Sequence, residues 1–154
     1  MRTISLTLLG VVVLVALGCR QENARFAASA DQVDSKIAVI SMTSDPSVDL
    51  QQTNMGLIFA GFCLDEGYDV NLFLNVKGVK LATTSFPEDT RFGSHAPLKE
   101  QLVDLQQRGA KIHVCPVCMD DLGIEAEQII PAAFVTSKPK LFAKLGDDTM
   151  VFTY

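Results

Sequence analysis

The sequence predicts an α/β fold: a single doubly wound parallel sheet of about five strands with helices on both faces. Three observations lead there. Short apolar runs alternate with segments of helix length, glycines stand just past the ends of those segments, and two thiols, Cys115 and Cys118, sit where one apolar run meets a helix start. With 154 residues, the chain has room for one ordinary domain once any targeting segment is set aside.

The elements follow in order. Lys36 to Met42 contains the continuous run Ile37-Ala38-Val39-Ile40, the pattern of a strand buried on both faces. Thr43-Ser44-Asp45-Pro46 is a turn. From Leu50 to Glu66 the chain reads as a helix stopped by Gly67, and its apolar residues Met55, Leu57, Ile58, Phe59, Phe62, Cys63 and Leu64 occupy so much of the circumference that two buried faces are expected. Tyr68 to Val76 alternates Val70, Leu72 and Leu74 against Asn71, Phe73 and Asn75, as a second strand would. Lys77 to Ala96, with Gly78, Pro87 and Gly93, reads as a long irregular segment of the kind that often carries function.

Leu98, Leu102 and Leu105 then mark a one-faced surface helix closing at Gly109. Ala110 to Val114 is a third strand. Pro116 suits the first helical position, where its missing N–H costs nothing, so Cys115 becomes the N-cap of a short helix ending at Gly123. Glu125 to Ile130 reads as a helical turn, Pro131 to Val135 as a fourth strand, Ser137 to Leu145 as a helix and Thr149 to Thr153 as the last strand.

The N-terminus has a different character. Arg2 precedes an apolar run from Ile4 to Leu17, too short for a membrane span of about 20 residues and shaped like a signal peptide. Ala16-Leu17-Gly18-Cys19 resembles the lipobox of bacterial lipoproteins, with Cys19 the lipidated residue. Residues 1–18 are therefore expected to be a signal peptide, 19–35 a polar tether and 36–154 the folded domain. The expected destination is outside the cytoplasm, held to a membrane through lipid. The net charge of −5 drops by one further unit when Arg2 is removed, and the sequence has no basic cluster, so nucleic acid is excluded as a partner.

The chemistry concentrates at His113-Val114-Cys115-Pro116-Val117-Cys118. Ligands of open α/β sheets bind outside the carboxyl ends of the strands, and a thiol at a helix start is favoured as thiolate. Taken with Leu64-Asp65-Glu66-Gly67-Tyr68-Asp69-Val70, Lys77-Gly78-Val79-Lys80 and the closing Thr149-Met150-Val151-Phe152-Thr153-Tyr154, this stretch resembles the DsrE/DsrF-like family, which includes TusD-type sulfur relay proteins. The resemblance spans Lys36 to Tyr154. It implies a flavodoxin-like fold, assembly as trimers or hexamers, and a cysteine after the third strand that carries sulfur as a persulfide. Cys115 occupies that position. It further implies a sulfur donor or acceptor, protein or small thiol, as the partner. The relay proteins have a single cysteine there; this chain adds Cys118 and is expected to be exported.

Cys118 admits three roles: resolving a persulfide or mixed disulfide on Cys115, forming a reversible disulfide with it, or packing under the short helix. His113 and His95 are auxiliary candidates, the first on the strand leading to Cys115, the second as a proton donor or acceptor in the long loop. Cys63 is expected in the core, Asp120-Asp121 on a solvated face, and Asn71 and Asn75 at the sheet end. No cofactor is expected. The rival reading is a non-catalytic oligomeric module that binds a small ligand or a metal, with Cys115 and Cys118 as a disulfide or a ligand pair. The sequence contains no serine-histidine-aspartate arrangement, phosphate-binding glycine loop or paired carboxylates that would point to a hydrolase or nucleotide enzyme.

Overall fold

A computed structural model describes residues 36–143 and 145–154. The expected signal peptide at 1–18, lipidation at Cys19 and tether at 19–35 lie outside the described residues. Five strands form one all-parallel sheet: β1 (Ile37–Met42), β2 (Asp69–Leu74), β3 (Lys111–Val114), β4 (Phe134–Val135) and β5 (Thr149–Thr153), in the order β4-β3-β2-β1-β5. The helices are α1 (Leu50–Asp65), α2 (Leu98–Gln107), α3 (Pro116–Leu122) and α4 (Lys138–Phe142). Among the described residues no helix is long and apolar enough to cross a membrane.

The pleat explains the main layer. Ala38 pairs with Val70, Ile40 with Leu72 and Met42 with Leu74, while Leu72 and Leu74 pair with Ile112 and Val114. All of these side chains are buried in one cluster, joined by Leu57 and Ala60 of α1, Leu98, Leu102 and Leu105 of α2, and Met119 of α3. Full burial of a Leu or Ile side chain is worth about 1.5–3 kcal/mol, so this one face supplies most of the driving force. From β1 to β4 the strands march in one direction. The chain then returns across the sheet to pair β5 with β1, a reversal that the right-handed crossover rule sends past the opposite face with α4.

Several element limits differ from those expected. The second strand stops at Leu74 rather than Val76. The next residues are not irregular: Val76–Ala82 is a 3-10 helix that buries Val79, Leu81 and Ala82. Its apolar positions recur too closely for an α-helix and lie beside two lysines and a glycine, which hid it. The fourth strand holds Phe134 and Val135 alone, since Pro131 cannot donate to a ladder and the Ala133 N–H turns back to the Ile130 carbonyl. Helix α4 closes at Phe142, and its N-cap Ser137 makes no side-chain capping hydrogen bond.

Helix α1 buries Asn54, Leu57, Ala60, Gly61 and Cys63 along one side. Its outer side presents Met55 and Phe62, both exposed in the single chain.

Candidate functional site

Strand β3 carries the chain to the carboxyl edge of the sheet and ends beside β2. There the Cys115 N–H donates to the Leu74 carbonyl at 3.0 Å, extending the ladder by one bond. Cys115 is extended (φ −73°, ψ 116°) and is the N-cap of α3, and its carbonyl accepts the Met119 N–H at 3.1 Å. Pro116 occupies the first turn as expected. The helix ends at Gly123, whose φ of 64° is a left-handed conformation that favours glycine. Buried Met119 anchors α3 to the core, against which both cysteines pack while partly buried. Cys115 and Cys118 are both free thiols of intermediate exposure.

The environment of Cys118 is built by the segment after β2. The Val76 N–H donates to Cys118 Sγ at 3.0 Å. Val76 has a φ of 48°, the one non-glycine residue in the left-handed region among the described residues, and it is β-branched, the class for which that region costs most. Neighbouring contacts impose the conformation. The Asn75 N–H donates to the Met42 carbonyl at 3.0 Å, and the Asn75 amide and Ser41 hydroxyl lie 3.2 Å apart. Gly78 lies so close under the same carbonyl that a Cβ there would stand 2.1 Å from the Met42 oxygen. Lys80 Nζ donates to Asp45 Oδ2 at 2.7 Å, with Lys77 Nζ at 3.8 Å from the same oxygen.

Burial pushes the Cys118 thiol above its ordinary value of 9.0, the neighbouring Cys115 thiol and the Asp121 carboxylate add to the rise, and the Val76 N–H opposes it. The thiols are therefore electrostatic neighbours, and at neutral pH Cys118 is a protonated partner. Asp45 moves the other way: the Lys80 ammonium, helped by the Ser47 N–H and by Lys77, holds its carboxyl below 3.8 despite burial.

The auxiliary candidates have partners of their own. His113 is buried beneath the strand end, with Nδ1 3.1 Å from Thr136 Oγ1 and Nε2 3.2 Å from Asn71 Oδ1, and its ring meets Phe134 edge-on at 4.6 Å. Because the Asn71 amide nitrogen faces the Asp69 carbonyl, its oxygen faces the imidazole, so His113 Nε2–H is the donor of that pair. His113 thus braces β2, β3 and the residue after β4. His95, in the loop before α2, stacks on Phe92 with centroids 6.2 Å apart. Cys63 is buried in α1 as expected, and burial raises its thiol. Among the described residues no group of three or more His, Cys, Asp or Glu side chains is placed to hold a metal ion.

Sequence reading missed the Val76 amide and the Asp45 clip. Valine gives no signal of a left-handed backbone, and Lys77 and Lys80 fall in the segment expected to be irregular.

The DsrE/DsrF-like family model matches residues 35–152, well over half of the chain. The chain belongs to the DsrE/DsrF-like family. No curated protein matches it. Among solved structures it is similar to the ychN protein from E. coli, at 17% identity and a TM-score of 0.58, covering 78% of this chain and 99% of that one. It is also similar to BT1422, a conserved protein of unknown function from Bacteroides thetaiotaomicron, at 18% identity and a TM-score of 0.57, covering 80% and 99%. These two likenesses establish the fold of the DsrE-like domain.

Proposed function

We propose that this chain is an exported, lipid-anchored DsrE-like protein that handles sulfur, with Cys115 accepting sulfane sulfur as a persulfide and passing it to a protein or small-molecule thiol. The observation that carries this reading is the pair of free, half-exposed thiols at the carboxyl edge of β3, the edge where open α/β sheets place their chemistry. Family membership supports it by associating the fold with sulfur relay.

The chemistry needs little else. The Cys115 thiolate attacks the terminal sulfur of a polysulfide or a donor persulfide, the donor S–S bond breaks, and the shortened polysulfide anion or the donor thiolate leaves with the electron pair. Cys115 then carries one additional sulfur, which a second thiolate can remove by the same exchange. No cofactor is required for either step. In this reading Cys19 holds the domain to a membrane surface, and the exposed outer side of α1, with Met55 and Phe62, packs against a second copy in a trimer or hexamer.

Intact-mass measurement tests the reading. The reduced Cys118→Ser variant exposed to polysulfide gains the mass of one sulfur, and the variant in which Cys115 is also replaced by Ser gains none. Equal gains in both, or a gain in neither, would overturn it.

A further inference from the structure

Cys118 and Val76 have an arrangement that sulfur acceptance by Cys115 alone does not require. Val76 occupies a backbone region that a β-branched residue adopts only at a cost. Asn75 and Gly78 fasten its segment to Met42 at the end of β1, and Lys80 fastens it to Asp45 in the turn that follows. The consequence is a single backbone N–H aimed at Cys118 Sγ from 3.0 Å. Strain maintained by its surroundings and ending in a donor on a sulfur atom is the geometry of a preorganised anion site.

We infer that Cys118 is the resolving thiol of this site, and that the Val76 amide stabilises its thiolate so that it displaces hydrosulfide from a persulfide on Cys115. The inference rests on the reading of Cys115 as the sulfur acceptor and adds a product to it: sulfide, with a Cys115–Cys118 disulfide left behind. Cys118 passes its thiol proton to the outer, anionic sulfur of the persulfide and attacks Cys115 Sγ. The bond between that sulfur and the added sulfur breaks, and the added sulfur departs with the bonding pair as hydrosulfide. The two cysteine sulfurs are oxidised to the disulfide as the sulfane sulfur is reduced. A dithiol then returns the pair to the free thiols seen here.

The amide acts where the environment works against the reaction. Burial, Cys115 and Asp121 all disfavour a charge on Cys118, and the Val76 N–H is the group that opposes them in part. The donor is a main-chain group, so side-chain substitution at Val76 leaves it in place: Val76→Gly keeps the N–H in a backbone region glycine adopts freely, whereas Val76→Pro removes it.

Two measurements test this separately from sulfur acceptance. In the Cys115→Ser chain, which cannot take up sulfur, the Val76 amide proton resonance is followed against pH. It moves with the same midpoint as alkylation of Cys118, and the movement disappears when Cys118 is also replaced by Ala. An amide that does not titrate, or that titrates identically without Cys118, would overturn the inference whatever Cys115 does.

In the second measurement, reduced protein is loaded with polysulfide, freed of excess donor and assayed for sulfide. Wild type and Val76→Gly release it and form the disulfide. Cys118→Ser retains the added sulfur, and Val76→Pro releases sulfide about tenfold more slowly, the scale of one lost hydrogen bond to a charged group. Should Val76→Pro fail to fold, as judged by circular dichroism, the amide titration still decides. Sulfide release at the wild-type rate from loaded Cys118→Ser would also overturn the inference, while failure of loading itself would count against the acceptor reading instead.

Discussion

Burial separates the thiols of the domain into two classes. Cys63 is 6% exposed within α1, and desolvation disfavours its charged form. Cys115 and Cys118 stand half-exposed at the sheet edge. Native alkylation at mildly alkaline pH, read by peptide mapping, should therefore modify Cys115 and Cys118 while Cys63, closed off from the reagent by its packing, reacts at least about tenfold more slowly. Rapid labelling of Cys63 would contradict the packing of α1.

Asp45 gives a second test at this scale. Its folded-state carboxyl lies below the ordinary 3.8, so the Lys80 ion pair contributes stability above that value and loses it as pH falls through the lowered folded-state value. Asp45→Asn should reduce stability near neutral pH by about 1 kcal/mol, and the two proteins should converge in strongly acidic solution. A constant difference across the acid range, measured by urea unfolding, would show that the loss is not electrostatic. The positions of Cys115, as N-cap, and of Pro116, at the first turn, were legible from residue type alone. Val76 was not, because nothing in valine's chemistry announces a positive φ; the strain belongs to contacts made by its neighbours.

The element that organises the site is the 3-10 helix Val76–Ala82. Sequence periodicity could not find it, since Val79, Leu81 and Ala82 match neither strand alternation nor a full helical stripe, and the glycine and lysines look like loop. What fixes it is a tertiary contact, the fit of Gly78 under the Met42 carbonyl. Gly78→Ala should cost about 3 kcal/mol through the steric conflict with main chain, lowering the urea midpoint. It should also slow sulfide release, because the Val76 amide would be displaced from Cys118. Unchanged stability would mean that the segment sits farther from β1 than 2.1 Å from a Cβ to the Met42 oxygen implies. By contrast, α1, α2 and α3 could be read from sequence nearly to their limits, because strong local stops at Gly67, Gly109 and Gly123 coincide with the ends of their apolar stretches.

At the scale of the whole molecule, parallel strands separated by helices gave the fold class, and the order β4-β3-β2-β1-β5 places β2 and β3 side by side near the middle of the sheet. The two elements that build the thiol site are thus adjacent in space although Cys118 and Val76 lie 42 positions apart in the chain. Strand order is a long-range property that local patterning does not encode, so the pairing of Cys118 with Val76 could emerge only from the assembled sheet. The outer side of α1 adds an expectation for assembly: Phe62→Glu should shift the protein to a smaller species by light scattering at micromolar concentration, since a charge at an exposed aromatic would be buried unpaired in the proposed subunit contact. A wild-type protein that is already monomeric would contradict that contact.

The central claim is that Cys115 is the residue on which sulfur first arrives. Site-resolved mass spectrometry of fully reduced protein, quenched at short times after addition of polysulfide, addresses it directly. The account predicts the added sulfur on Cys115 at the earliest times, none on Cys63, and the Cys115–Cys118 disulfide appearing only as that adduct decays. Sulfur found first on Cys118, or on neither member of the pair, would contradict it.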